Sequence, residues 1–363
     1  MKVLVGLSGG VDSSVTALML KEQGFEVIGA TMSIWGKNGV YKQIEEKLSV
    51  LPQKSHGACL GPSEKEDIEA AREVAKSIGI DFYVFNCAQQ YEKIVLDNFK
   101  KEYLSGRTPN PCVWCNALIK FDLLPHLAKQ NGIEFDKFAT GHYARVEQNK
   151  NGEYILKCAK DKKKDQSYFL YRLKKEQLKN ILLPLGEYTK EEIRNYALKR
   201  GLKVAEKPDS QDFYEGDYNE LLQVKEKKGN IVDEQGNILG KHKGIWNYTT
   251  GQRKGLGVSS SEPLYVVELR KDTNEVVVGF KKSTMKSGLI ANQLNLSIPK
   301  LPFECQAKIR SSQLPQKVMV SYCSSDKIKV EFENLQSSIS LGQSVVLYDK
   351  DTVLGGGIID EVY

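Results

Sequence analysis

Residues 2–7 (KVLVGL) form an apolar, β-branched run that Ser8-Gly9-Gly10 breaks at once, and a helical pattern follows. The run is the length of one buried strand. Val11, Val15, Leu18 and Met19 then recur at helical spacing until Gly24 stops the helix. A strand that feeds a glycine turn and a helix is half of a βαβ unit. Gly9 and Gly10 let the backbone turn tightly and approach a ligand. The amides of the turn and of the first helical turn then make an anion site, to which Ser8 and Ser13 add hydroxyls. Asp12 is too negative to meet a phosphate directly and suits a magnesium ion or the geometry of the loop. No Gly-Lys-Ser/Thr follows, so the spacing is not that of a Walker loop. A plain capped strand–helix turn fits the same residue types.

Strand and helix keep alternating to about residue 145. Residues 25–34 read as a strand. Residues 63–79 read as a helix opened by Ser63, with Glu64, Glu66 and Asp67 early and Gly79 at its end. Residues 81–86 and 137–140 read as strands, and 91–103 and 116–131 as helices. After that come a hairpin over 146–158 and two short helices within 176–200. Past 207 helices vanish, and runs such as EVVVGF (275–280) and KIKVEF (327–332) recur at hairpin spacing. The expected architecture is α/β: a doubly wound parallel-sheet domain (1–207), a small β domain (208–277) and a C-terminal β barrel (278–363). At 363 residues, 40% hydrophobic and 27% charged, the chain has an ordinary globular composition. No apolar run approaches the ~20 residues of a membrane span, and 2–7 is too short for a signal peptide. A cytoplasmic protein with no membrane partner is expected.

Seven cysteines in such a chain point to thiol chemistry, metal binding or buried thiols rather than disulfides. Residues 106–121 read GRTPNPCVWCNALIKF. The prolines make Thr108 to Pro111 an extended loop. Cys112 and Cys115 follow at C-x-x-C spacing before a helix, where the helix N-terminus, Arg107 and Lys120 are expected to lower a thiol pKa. A thiolate there can act as a nucleophile and carry a persulfide. His56 and Cys59, in HGAC, add soft ligands, so a metal or iron–sulfur site on Cys59, Cys112 and Cys115 is open too. Cys87, Cys158, Cys305 and Cys323 lie in strand-like segments and read as buried or incidental. The net charge of +6 permits a polyanionic partner. Residues 157–175 hold eight Lys and Arg against two Asp, with Tyr168, Phe169 and Tyr171 interleaved. That composition suits RNA phosphate contact and base stacking, or a solvated loop beside a core strand.

SGGVDSS after a first strand resembles the motif of the PP-loop ATP pyrophosphatases. With RTPNP, CN-x-x-IKF, GHYA (141–144), DQSYFL (165–170), KPDSQDF (207–213) and GQRKGLG (251–257), the chain resembles the bacterial tRNA 2-thiouridylase (MnmA) family nearly end to end. The resemblance implies an ATP-dependent transferase that adenylates O2 of the wobble uridine and delivers sulfur to C2. It implies ATP and Mg2+ as cofactors. The expected partners are the tRNA anticodon stem-loop and a sulfur-donor protein or free sulfide. It assigns nucleotide binding to Gly6, Leu7, Ser8, Gly9, Gly10, Val11, Asp12, Ser13, Met32 and Gly141. RNA contact falls to Asn110, Pro111, Cys112, Lys164, Asp165, Gln166, Arg310 and Ser311, and nucleophilic catalysis to Cys115. The target base must be flipped from its stack to reach that site.

Two departures from the family pattern bear on mechanism. Cys112 stands where an aspartate is usual, and Tyr214 stands where the partner cysteine is usual. A tyrosine can neither carry a persulfide nor form a disulfide. Cys59, Cys112 and Cys115 are therefore expected either to hold a [4Fe–4S] cluster with one open iron, or to act through a Cys115 persulfide resolved by Cys112 or Cys59. Two other classes compete: a PP-loop ligase or amidotransferase, and an RNA-binding protein with a degenerate nucleotide site. In every enzymatic case the glycine loop and the paired sulfurs should face a common cavity.

Overall fold

The computed structural model describes residues 1–36, 58–61, 63–209, 212–214, 216–297 and 301–363. His56 of the HGAC segment, and Ser210 and Gln211 of KPDSQDF, lie outside them. The chain divides into two compact units. The first comprises Met1–Leu96, Pro111–Leu221 and Asp351–Val353, and the second Asp97–Asn110, Leu222–Lys350 and Leu354–Tyr363.

The first unit is built on a parallel sheet whose order is Asp81–Asn86, Glu26–Ser33 (β2), Lys2–Gly6 (β1), Lys137–Ala139 and Ile181–Leu182. Val3, Leu4 and Val5 are fully buried, which is why β1 reads as continuously apolar rather than alternating. β1 is central, with β2 on one side and the later Lys137–Ala139 on the other. The crevice beyond its carboxyl end is the topological switch point, where open α/β sheets bind ligands. The helix α1 (Val11–Glu22) leaves from that point. Ala17 and Leu20 pack on Val3, Val5, Ala71 and Ala75, while Val11, Val15 and Met19 pack on Ile193 and Ala197. Both flanks of α1 are thus buried, which fixes its first turn.

Several elements differ from expectation. Ser63 does not cap its helix through its side chain; the helix Glu64–Ile78 ends on left-handed Gly79 as expected. The Glu64 carboxylate instead accepts from Ser33 Oγ at 2.8 Å and from the amides of Ile34 at 2.6 Å and Trp35 at 2.9 Å. The helix expected over 116–131 begins five residues earlier, as Pro111–Trp114. It passes through a π-helical stretch, Cys115–Leu123, and ends as Leu124–Gln130. Proline is tolerated at a first helical position because the missing N–H has no helical partner there. Both cysteines therefore sit inside the helix rather than before it. A short helix, Tyr218–Leu222, also appears where none was expected.

The second unit contains an antiparallel and parallel sheet ordered Ile238–His242, Gly229–Val232, Glu275–Gly279 and Tyr265–Arg270, over a core of Ile231, Ile245, Val266, Val276 and Val278. It also contains a closed barrel ordered Met285–Leu296, Ile328–Ser337, Gln316–Tyr322, Phe303–Lys308, Ser344–Asp349 and Thr352–Val362. The last strand pairs back on the first, with Leu289 opposite Val362 and Ala291 opposite Ile359. The expected extended loop is held in this unit. Thr108 N donates to Leu341 O at 2.8 Å, and Gln343 Nε2 donates to the carbonyls of Thr108 and Pro109.

Candidate active site

The turn after β1 is closed by its own hydroxyls. Ser8 N donates to Ser13 Oγ at 3.1 Å, and Ser13 and Ser14 hydroxyls bond to Gly10 O at 3.2 and 2.8 Å. Gly9 has φ +74°, and a Cβ there would lie 2.3 Å from Asp67 O, so only glycine fits. Gly141 is close-packed for another reason. A Cβ on it would lie 2.7 Å from both Asp12 C and Ser13 N, so this glycine lets its strand end lie against the start of α1. Lys207 braces the loop from outside, donating to Gly9 O and pairing with Asp67 at 2.6 Å.

Asp12 is the most heavily engaged side chain of the loop. Lys190 Nζ lies 2.7 and 2.8 Å from its two carboxylate oxygens, and Tyr143 OH donates to Oδ1 at 2.9 Å. Burial, and then the neighbouring Asp12 carboxylate, push the Tyr143 phenol far up, so it stays a donor. Lys190 also meets Asp209 at 2.7 Å, and Asp209 pairs with Lys164 at 2.7 Å and Arg194 at 3.1 Å. Burial alone would raise the Asp209 carboxyl; the Lys164 and Lys190 hydrogen bonds outweigh it and hold the group below its ordinary value. The hard oxygen donors of Asp12 and Asp209 fit a Mg2+ held by one or two carboxylates and a nucleotide's phosphates.

The thiols are in the opposite condition. Cys112 and Cys115 are half-buried. Burial pushes Cys112 up to about 12 and Cys115 up to about 11, with Cys59 adding to both. Lys120 pulls each downward but is outweighed. This reverses the expected lowering. Arg107 gives no help, being taken by Glu102 at 2.7 Å and Asp360 at 3.3 Å within its own unit. Cys59 thus acts on both helix thiols, and Cys115 acts on Cys112. Even so, no group of three His, Cys, Asp or Glu among the described residues is placed to hold a metal ion. The ligand cage expected of Cys59, Cys112 and Cys115 is therefore not assembled.

The register around Tyr214 shows what replaced the usual cysteine. Ala58–Leu60 pairs in parallel with Asp212–Tyr214, Ala58 opposite Asp212 and Leu60 opposite Tyr214. Cys59 falls between those pairs. Successive residues face opposite sides, so exposed Cys59 and buried Tyr214 point apart. Tyr214 OH donates to Glu220 at 2.7 Å. Of the other cysteines, Cys87 and Cys158 are buried, as expected. Cys323 is exposed, in keeping with an incidental thiol, and lies just beyond the strand Gln316–Tyr322 rather than within it.

One segment touches both halves of the site. In Gly141-His142-Tyr143-Ala144, Tyr143 reaches Asp12, while the His142 ring lies 5.5 Å from Phe121 of the cysteine-bearing helix. Burial, then Lys120, keep His142 neutral; its Nδ1 pairs with Thr140 Oγ1 at 2.8 Å.

This geometry accompanies likeness along the whole chain. A family model described as tRNA methyl transferase HUP domain matches residues 1–214, a tRNA methyl transferase PRC-barrel domain matches 220–280, and an aminomethyltransferase beta-barrel domain matches 286–359. The tRNA-specific 2-thiouridylase MnmA of Endomicrobium trichonymphae is 49% identical over 99% of both chains. The protein of that name from Carboxydothermus hydrogenoformans is 46% identical over 99% of this chain and 98% of its own. The chain belongs to the MnmA family of tRNA-specific 2-thiouridylases.

Against that family pattern, the expected residues fall in two groups. Gly6 to Ser13, Met32 at the end of β2, Gly141, Pro111, the cysteines and Lys164 to Gln166 lie in the first unit; Asn110, Arg310 and Ser311 lie in the second. Lys164 is exposed, whereas Asp165 and Gln166 are turned inward: Asp165 accepts from Ala159 N and Ser167 Oγ, and Gln166 Oε1 accepts from Tyr143 N. Arg310 donates to the carbonyls of Thr250 and Ser338. Tyr168 and Tyr171, considered for base stacking, are buried core residues. Trp114, between the cysteines, carries Arg172 over its ring at 4.4 Å. Reasoning from sequence missed Lys190, Lys207, Asp209 and Glu64. Only the capping box of Thr189 and Glu192 marked the helix that carries Lys190.

Proposed function

We propose that this chain is an ATP-dependent sulfurtransferase that converts the wobble uridine of tRNA to 2-thiouridine. The observation that carries the proposal is the GHYA segment, whose Tyr143 engages Asp12 and whose His142 packs on the helix of Cys112 and Cys115. Such a segment lets an adenylated base and a sulfur meet. A carbonyl oxygen is a poor leaving group and AMP is a good one. O2 attacks the α-phosphate and pyrophosphate leaves into the Ser8–Ser13 loop. Met32 and Gly141 lie along the nucleoside, and Asp12 holds the Mg2+ of the nucleotide.

Sulfur then reaches C2 from a persulfide on Cys115. Its terminal sulfur attacks C2 and AMP departs. The Cys112 or Cys59 thiol then attacks Cys115 Sγ, leaving sulfur on the base and a disulfide that a cellular thiol reduces. A carrier protein that already bears a persulfide passes its outer sulfur to the Cys115 thiol and leaves as a thiol; free sulfide serves only the cluster reading below. Lys164 and Arg310 meet RNA phosphates of the anticodon arm, and Asn110 to Cys112 meet the target base. A [4Fe–4S] cluster on Cys59, Cys112 and Cys115 is the second reading, favoured by the influence of Cys59 on both helix thiols; it would require the three to draw together around the cluster.

Nucleoside mass spectrometry after incubation with tRNA, ATP and Mg2+, in parallel with a persulfide donor and with sulfide as sulfur source, tests the function. ATP-dependent 2-thiouridine is expected. Its absence from protein that still binds tRNA sinks the proposal in favour of a binding protein, and tRNA-independent adenylation of a small molecule sinks it in favour of a ligase. Iron and labile-sulfide assays on anaerobically purified protein separate the two sulfur routes. Activity without iron removes the cluster.

A further inference from the structure

Two carboxylates converge on one ammonium beside the phosphate loop. Lys190 Nζ sits within 2.8 Å of both Asp12 oxygens and 2.7 Å from Asp209 Oδ1, with its side chain only 10% exposed. Removing such a cation from water is costly, and close pairing on two sides offsets that cost. The same two carboxylates are the hard donors that suit a Mg2+ arriving with nucleotide phosphates. The ammonium therefore fills, from a tether, a place that a divalent ion can use. Asp209 is shared further, with Arg194 and with exposed Lys164.

We propose that Lys190 is a built-in substitute for the divalent cation of ATP, and that Asp209 is the pivot through which RNA contact at Lys164 frees Asp12. This deepens the functional proposal and rests on ATP binding at the loop and RNA binding near Lys164. Without RNA, Lys164 helps neutralise Asp209, and Lys190 stays on Asp12. An RNA phosphate that takes Lys164 leaves Asp209 with one cation fewer. Asp209 then draws Lys190 toward itself, and an Asp12 oxygen opens to Mg2+. The element with two arrangements is one ammonium between two acceptors, biased from both ends. Lys190 and Asp209 are positioning residues here.

The measurement is the Mg2+ concentration that gives half-maximal binding of α,β-methylene-ATP to the full chain, with and without a tRNA transcript. Saturating tRNA should lower this midpoint by about fivefold or more, the lower end of ordinary coupling between sites. Lys164→Ala should lower it by a similar factor with no tRNA present. Lys190→Met should lower it and remove any further response to tRNA. Asp209→Asn should raise it and erase the tRNA effect, whereas a through-space field from bound RNA would leave that effect intact. An unmoved midpoint in the parent protein overturns the inference, as does a tRNA shift that survives Asp209→Asn or a Lys164→Ala midpoint equal to the parent's. If Asp209→Asn fails to fold, Lys164→Ala, a change at an exposed position, decides alone. A parent protein that binds neither the analogue nor tRNA overturns the functional proposal and this inference together; binding of both with no shift overturns the inference alone.

Discussion

The phosphate loop and the cysteine pair share one unit of the molecule yet are prepared in opposite ways. Around Asp12, each charge already has its partner: Lys190 and Tyr143 on Asp12, Lys164 and Arg194 on Asp209, Lys207 on Asp67. Around Cys112 and Cys115, burial keeps the sulfurs protonated, and the one helpful cation, Lys120, is outweighed. The first site is organised in the ionic state that binding a polyanion requires. The second is held in the state that does no chemistry, since the thiolate is the nucleophile. The difference teaches an order of events. In the proposed reaction the resting protein would grip nucleotide first, and a thiol held up by burial would ionise only once its surroundings change. A thiol that stays protonated is protected from oxidation.

Four experiments break or sharpen this contrast, the largest effect first. Cys115→Ser should reduce 2-thiouridine to background while tRNA retention on a filter and pyrophosphate release stay at parental levels; residual thiolation would move the nucleophile elsewhere. Asp12→Ala should lower pyrophosphate release by about 10²-fold or more, the scale of losing one electrostatic group at a reacting centre. It should also cost about 1.5–3 kcal/mol of stability, because it removes charged hydrogen bonds from Lys190. Unchanged pyrophosphate release would remove Asp12 from the nucleotide site.

The third experiment is a pH series of iodoacetamide alkylation on free protein, read by mass at Cys115. With the thiol at about 11, the rate should climb roughly tenfold per pH unit beyond pH 9 and level off only near its pKa. A plateau below pH 9 would show an already activated thiol and dissolve the contrast. The linked sign for stability follows. The folded chain holds these protons more tightly than a free thiol of value 9.0, so their contribution is complete below pH 9 and is lost as pH rises toward 11–12. The smallest effect belongs to Tyr214→Phe. Loss of its bond to Glu220 should cost about 0.5–1.5 kcal/mol in chemical denaturation and leave thiolation unchanged. A fall in thiolation would give this tyrosine a chemical role.

The parts legible from sequence were those written in local pattern. β1 and α1 follow from apolar periodicity bounded by glycines, and the barrel from β-branched runs at hairpin spacing. Elements set by tertiary context were not legible. The π-helical stretch at Cys115 has no local signature, and Ser63 looked like a side-chain cap because the segment satisfies the composition rule without the geometry. The direction of the thiol shift failed for a similar reason. Charges near in sequence suggested lowering, but Arg107 is drawn off by Glu102 and Asp360, and desolvation depends on packing that spacing does not record. Lys190 pairs with Asp12 across 178 positions of chain, so nothing near either residue announces the other.

The barrel of the second unit has its own consequence. Among the described residues its first and last strands hydrogen-bond to each other. Along the stretch where they pair, these two strands show no free row of amides and carbonyls to a neighbouring molecule. Those two strands are thereby withheld from the strands of crowded, partly unfolded neighbours, which lowers the risk of shared aggregates.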